Sequence, residues 1–329
     1  GPHLIPHEVT FHPIDSHAIY EAAKNTHGSS GPSGIDADGW QRFLCSRSFG
    51  KENEKLCSAV AEFARKIAST ELDPSYLSAY TASRLIPLDK GDKNHSVRPI
   101  GVGEVLRRIV GKSIIQLLKY DIAQTTAPVQ TCGGVKGGVE AAVHGLRAIW
   151  EEQETEAIIM VDASNAFNCL NRKAGLQNTG ILCPEIYTYL RNTYSTASDL
   201  YITGGKGYKI KSNEGTTQGD TTAMAFYALS IMKMVKSIMN DVPNVKQVFY
   251  ADDGAGGGDL DSTLKFWEVL KSEGQKYGYF VNPSKTFLLV KPKFVEAAKA
   301  KFTDINITVK GHKYLGSYIA VSYTHLTLP

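Results

Sequence analysis

The chain is short of the features that mark an exported or membrane-spanning protein. Within its 329 residues no uninterrupted apolar stretch reaches the length of a bilayer span, and no signal peptide is visible. Cysteine is scarce and unpatterned. Cys45, Cys57, Cys132, Cys169 and Cys183 make no C-x-x-C pair, which argues against a disulfide framework and a zinc site. A reducing, intracellular setting without a membrane partner is the expectation, with nucleus and cytoplasm undivided. No internal repeat or low-complexity tract occurs, and "GGVKGG" (Gly133–Gly138) lacks the Lys-Ser/Thr ending of a phosphate-binding P-loop.

Apolar residues make up 42% and charged residues 21% of the chain, the balance of a globular protein with a sizeable core. The net charge of +3 is small but unevenly spread. Eight Lys/Arg stand against three acids from Arg84 to Lys119, and nine against three from Lys271 to Lys313. Two basic regions around a more acidic middle suit a polyanion, although such stretches also serve as plain solvated surface.

Residues 1–50, rich in His, Pro, Gly and Ser, read as loop with one short helix near Ala18–Lys24. Helical spacing predicts helices over Glu54–Ala68, through Leu106–Leu118 and from Val139 to Trp150. "SRLIPLDKGDKNHSVRPIGV" reads as strand pieces around a basic turn, and "AIIMV" (Ala157–Val161) as a buried strand ending in Asp162. A helix near Pro184–Tyr194 precedes a hairpin turning at Gly204-Gly205. A helix over Thr221–Met239 follows, with Met224, Met232, Met234 and Met239 as core filler. A hairpin bearing Asp252 and a helix through Leu264, Trp267 and Leu270 complete a mixed α/β, or α+β, chain.

Asp252 and Asp253 stand side by side after an apolar strand and before Gly254. The pair alone fits a solvated turn, but Asp162 also closes an apolar strand. Adjacent strand residues face opposite ways, so Asp252 and Asp253 approach one ion only if a turn falls at the pair, as Gly254 permits. Rigid carboxylates of this kind match a pair of Mg²⁺ ions about 4 Å apart, with phosphate and water completing their shells.

With these residues in place the chain resembles reverse transcriptases of mobile elements, of the non-LTR type. "RPIGV" (Arg98–Val102) resembles the fingers motif, "VDASNAF" (Val161–Phe167) palm motif A, and "EGTTQGD" (Glu214–Asp220) motif B. "YADD" (Tyr250–Asp253) is similar to motif C, "NPSKT" (Asn282–Thr286) to motif D, "YLG" (Tyr314–Gly316) to motif E, and "GPSGID" (Gly31–Asp36) to a segment upstream of the fingers. The order is the family's, over Arg84–Gly316. The resemblance implies a right-hand polymerase with fingers and palm and with the thumb absent or truncated. Residues 1–75 would be an N-terminal extension, 76–150 fingers, and 151–320 palm with 168–212 contributing to fingers. Residues 321–329, "VSYTHLTLP", read as a non-native tail.

The resemblance also implies roles. Asp162, Asp252, Asp253 and the Ala163 carbonyl would hold two Mg²⁺ ions, with Mn²⁺ as substitute. Lys90 and Arg98 would hold the triphosphate, Gln218 would line the nucleotide or template side, and Lys285 would protonate pyrophosphate. Tyr314, Leu315 and Gly316 would form the primer grip. Lys90, Gln218 and Lys285 have plainer readings as turn or surface residues. RNA template, DNA primer or RNA–DNA duplex, dNTPs and other domains of a longer polyprotein are the partners so implied. Two departures stand out: Thr221 replaces the usual proline after QGD, expected to loosen that helix start. Gly254-Ala255-Gly256-Gly257-Gly258 replaces an apolar strand, expected to soften it. A viral RNA-dependent RNA polymerase is a rival reading. There the fifth residue after the motif A aspartate is a second Asp, whereas here it is Phe167, which favours deoxynucleotides. A domesticated RNA-binding polymerase fold is the non-enzymatic alternative, against which the intact Asp162, Asp252 and Asp253 speak.

Overall fold

A computed structural model describes residues 11–89, 91, 97–204, 207–217 and 219–319, with Arg98 as backbone alone. In chain order the elements are α1 (Ser16–Lys24), α2 (Ala37–Cys45), α3 (Lys51–Ser69), α4 (Ser78–Thr81), β1 (Ser83–Asp89), β2 (Val97–Gly103), α5 (Val105–Thr126) and α6 (Gly138–Glu151). Then come β3 (Ala157–Val161), α7 (Ala166–Cys169), α8 (Arg172–Leu182), α9 (Pro184–Tyr194), β4 (Ser198–Ile202), β5 (Lys209–Ser212), α10 (Ala223–Asp241), β6 (Lys246–Tyr250) and β7 (Asp253–Gly258). The series closes with α11 (Leu260–Gly274), β8 (Phe287–Val290), α12 (Val295–Lys301), β9 (Asn306–Thr308), β10 (His312–Tyr314) and β11 (Ser317–Ile319). Two compact units result: Gly1–Ile122 with Arg172–Leu229, and Ala123–Asn171 with Ser230–Pro329. No described helix is long and apolar enough to cross a membrane, and all five cysteines are free thiols.

In the first unit a four-stranded sheet runs β2-β1-β4-β5, with β1 antiparallel to β2 and parallel to β4. Helix α2 corrects the reading of residues 1–50 as loop with one helix. Asp36, the last residue of GPSGID, accepts from Gly39 N at 2.8 Å and so caps a helix that the Gly- and Ser-rich composition concealed. The segment before it is strapped to one face of α5. Glu104 accepts from Ser33 N and Oγ at 2.7 Å each, while Arg108 donates to the carbonyls of His27 and Ser29 and Lys112 to that of Asn25. The β4–β5 hairpin has a wider loop than a two-residue turn, since its last ladder bond is Ile202 N to Tyr208 O; Gly205 lies outside the described residues. Met239 is another correction: it is exposed on the last turn of α10, whereas Met232 and Met234 are buried.

In the second unit a five-stranded sheet runs β6-β7-β3-β8-β9. The all-apolar β3 is buried at every residue because it lies in the middle, antiparallel to β7 and β8. Helix α6 covers one face through Leu146, Ile149 and Trp150, which cluster with Ile158, Met160, Ala255 and Leu289. Helix α11, capped by Asp259 on Ser262 N, packs against β3 and β7 with Phe266, Trp267 and Leu270 buried.

The glycine run Gly254–Gly258 lies in β7, paired on both sides and buried beyond Asp253. Packing fills the space beside these glycines. A Cβ on Gly257 would sit 2.6 Å from Ile149 Cγ2, and one on Gly256 would sit 2.9 Å from Val245 Cγ1 and 3.1 Å from Phe266 Cε1. Large neighbours fill the room that strand side chains would need.

Candidate active site

The end of this sheet gathers the acidic residues. Val161 of β3 pairs with Gly254 of β7, so that one position further out Asp162 stands beside Asp253. Tyr250 pairs with Asp253 across β6 and β7, leaving Ala251 and Asp252 as a two-residue turn. Ala251 takes the left-handed conformation at φ 53, which costs a residue with a Cβ about 1–2 kcal/mol. The sequence placed the turn at the aspartate pair with Gly254 as its flexible residue. The turn in fact falls one residue earlier, because Gly254 is already inside the ladder.

The carboxylates feel one another. Burial raises the pKa of Asp252, and the charge of Asp162 adds to the rise. Burial, then the charges of Asp252 and Asp162, push Asp253 up to about 6. Asp253 is itself exposed at the sheet's end, so water also reaches it. A divalent cation relieves such repulsion, and hard oxygen donors are its preferred ligands. Among the described residues no three His, Cys, Asp or Glu side chains form a ready-made metal group.

Three buried side chains hold the turn by its backbone. Gln130 Nε2 donates to Ala251 O at 3.0 Å and its Oε1 accepts from Ala251 N at 2.9 Å. Tyr279 donates its hydroxyl to Asp252 O at 2.7 Å, and Tyr314 to Asp253 O at 3.0 Å. Burial, reinforced by the nearby carboxylates, keeps both phenols well above their usual pKa and hence as donors. Asp162 is held by the NPSKT segment: Asn282 N donates to Asp162 O at 2.7 Å, and the peptide N of Asp162 lies 3.3 Å from Thr286 Oγ1.

Of the other sequence-predicted residues, Ala163 bridges Val281, a bridge whose bonds use the carbonyls of Asp162 and Phe280. Phe167 is half-buried in α7, which starts after left-handed Asn165. Lys285 is exposed in a single 3₁₀ turn of the segment that holds Asp162. Tyr314 faces inward as a brace, and Leu315 and Gly316, at φ 48 and 81, form the tight β10–β11 turn. Lys90, Gln218 and the side chain of Arg98 lie outside the described residues.

In the first unit Asp220 of EGTTQGD is buried. Its Oδ2 accepts from Arg107 Nη2 and Tyr194 OH at 2.6 Å each, and its Oδ1 from Thr222 N at 2.9 Å. Arg172 holds the approach to this turn through Ser212 O, Ser212 Oγ and Gly215 O. The predicted loosening at Thr221 is corrected here: α10 begins at Ala223, so Thr221 lies outside its first turn, and Asp220 secures the start. Sequence reasoning missed Gln130, Tyr279, Arg107 and Arg172. Each acts through a contact more than 20 residues away, which no local pattern encodes.

In this α+β chain the central sheet gathers Asp162, Asp252 and Asp253 at one end, as hard oxygen donors. Residues 88–319 fit the family described as Reverse transcriptase (RNA-dependent DNA polymerase). The chain belongs to that family.

Proposed function

We propose that the chain adds deoxynucleotides to the 3′ end of a primer annealed to an RNA or DNA template, by nucleotidyl transfer with two Mg²⁺ ions or with Mn²⁺ in their place. The convergence of Asp162, Asp252 and Asp253 at one sheet end carries this reading. These aspartates, with the Ala163 carbonyl, would hold the ions. Bound there, magnesium would lower the pKa of the primer hydroxyl and neutralise the leaving pyrophosphate. Lys90 and Arg98 hold the triphosphate in this reading, Gln218 lines the nucleotide or template side, and Lys285 gives a proton to the pyrophosphate. Phe167 excludes a ribose 2′-hydroxyl by bulk, and Tyr314, Leu315 and Gly316 carry the primer grip. Residues 151–320 serve as palm and 76–150 as fingers, with 168–212 assisting the latter. Template, primer, dNTPs and further domains of a mobile-element polyprotein are the partners.

Primer extension on RNA and DNA templates, with dNTPs or rNTPs, tests the reading. Template-dependent dNTP addition supports it. Preference for rNTPs would make the chain an RNA polymerase, and no extension by a folded protein that binds RNA would leave a binding module.

A further inference from the structure

Gln130 lies outside the motifs named above, and the proposed function gives its side chain no role. Its side chain is fully buried, 121 residues away in sequence from the turn it touches. The segment around it is added to the free edge of β6 as a parallel bridge: Phe249 N donates to Val129 O at 2.7 Å, and Thr131 N to Phe249 O at 2.9 Å. Thr131 Oγ1 then donates to Gly138 O at 2.8 Å, tying the Gly133–Gly138 loop back onto the same place. A Cβ on Gly138 would collide with the carbonyl of Thr131, so glycine is required where the loop closes. The loop that lacks a P-loop ending thus closes onto the residue that follows Gln130.

The amide of Gln130 bonds both polar backbone groups of Ala251, as a neighbouring strand would. Ala251 is also the residue whose left-handed φ of 53 turns β6 into β7 and so sets the direction of Asp252 and Asp253. A residue with a Cβ returns readily to right-handed or extended backbone unless its surroundings fix it. We infer that Gln130 is a positioning residue, which holds the Ala251 peptide groups so that the carboxylates of Asp252 and Asp253 stay aimed at the cation they share with Asp162. Tyr279 assists through the carbonyl of Asp252. The inference rests on the polymerase reading for the identity of the cation, and on geometry alone for the hold on the turn.

Gln130→Met keeps the side chain's length and loses both hydrogen bonds to Ala251, together with the longer one that Cys132 N donates to Gln130 Oε1 at 3.4 Å. Titration of Mn²⁺ into the 329-residue chain, followed by the free-ion electron paramagnetic resonance signal, should show affinity weakened by about 10- to 100-fold, the usual effect of losing a residue that orients metal ligands. In primer extension kcat should fall and the half-saturating Mg²⁺ concentration rise, with the dNTP KM nearly unchanged. Ala251→Gly in the Gln130→Met background should recover part of the loss, because glycine adopts the left-handed turn without help; a side chain that merely fills the core would give no such rescue. Tyr279→Phe should move the same quantities in the same direction, and carries the test if Gln130→Met does not fold. Unchanged Mn²⁺ affinity in folded Gln130→Met overturns the proposal whatever the extension rate. A wild-type protein that extends no primer, yet loses Mn²⁺ affinity on Gln130→Met, would sink the polymerase reading and support the positioning role.

Discussion

Arg107 Nη2 stands 2.6 Å from Asp220 Oδ2, with the two side chains 2% and 1% exposed. Tyr194 shares the same carboxylate oxygen, and its ring lies under the Arg107 guanidinium at 4.9 Å. The buried charge of Asp220 is therefore matched on one oxygen by Arg107 and on the other by the start of α10. Removing one partner leaves an uncompensated charge, so Asp220→Ala or Arg107→Met should each cost about 3–5 kcal/mol. The double variant Arg107→Met/Asp220→Ala should cost less than the two single losses added together. Urea denaturation midpoints of the three variants measure this, and strict additivity would show that the pair is not a unit.

The carboxylates at the sheet's end predict a different outcome, with activity lost and the fold kept. Asp162→Ala and Asp252→Ala should each reduce primer extension by about a thousandfold or more, the equivalent of roughly 4 kcal/mol of transition-state stabilisation. Their unfolding midpoints in the absence of metal should match or exceed wild type, because each removes a repelling charge from the cluster. Extension within about tenfold of wild type would remove either residue from the metal site.

Asp253 gives the cluster a pH signature. Its pKa of about 6 in the folded chain exceeds the ordinary 3.8, so between these values the folded state binds more protons than the unfolded one. Stability contributed by this group is accordingly greatest below pH 4 and declines as pH rises through 6. Asp253→Asn abolishes that dependence. In metal-free buffer the variant should gain over wild type at pH 7, and the gain should vanish towards pH 4. Added Mg²⁺ should reduce the gain at pH 7 by stabilising the wild-type carboxylates. Thermal midpoints across this pH range, with and without Mg²⁺, provide the check.

The legible part of this protein was the part written in local pattern. "AIIMV" followed by Asp162, and "QVFY" followed by Asp252 and Asp253, showed two apolar strands ending in acids, and the register of β3, β6 and β7 joins them. Helices with an apolar stripe were legible for the same reason, since α3 and α6 each bury one face. What escaped were supports whose partners lie far along the chain. Nothing near Gln130 indicates that it bonds Ala251, and nothing near Tyr279 indicates Asp252. Helix α2 escaped because Gly and Ser around Asp36 read as loop until its carboxylate is seen capping Gly39. The Ala251–Asp252 turn escaped because glycine is the usual left-handed residue, whereas Ala251 takes that conformation while donating one hydrogen bond to Gln130 and accepting another from it.

Phe167 tests the choice of sugar. It is half-buried in α7, five residues after Asp162. If its ring excludes the 2′-hydroxyl, Phe167→Val should raise rNTP incorporation while leaving dNTP use nearly intact. A ring serving only the core would lower both equally and reduce stability, by less than the roughly 3–5 kcal/mol of a full Phe→Ala truncation. The ratio of dNTP to rNTP incorporation efficiency distinguishes the two, and an unchanged ratio assigns Phe167 to packing.

Gly257 tests whether the glycine run in β7 is weakness or fit. A Gly→Ala change in ordinary backbone usually stabilises by about 0.4–1 kcal/mol, because the unfolded chain loses freedom. Gly257 has no left-handed φ that would forbid alanine. Space forbids it instead: the added Cβ would meet Ile149 Cγ2 at 2.6 Å and Ile158 Cγ1 at 2.9 Å, both in the core between α6 and the sheet. These are branched side chains held by their neighbours, so relief requires α6 to move or off-rotamer strain, at about 1–3 kcal/mol. The overpacking outweighs the entropic gain, and Gly257→Ala should lower the urea midpoint. Gly257→Ala with Ile149→Leu removes the crowded Cγ2 branch at nearly constant volume and should recover part of that loss. A stabilised single variant would mean that β7 has room to spare, and that its glycines soften the strand as the bare sequence suggests.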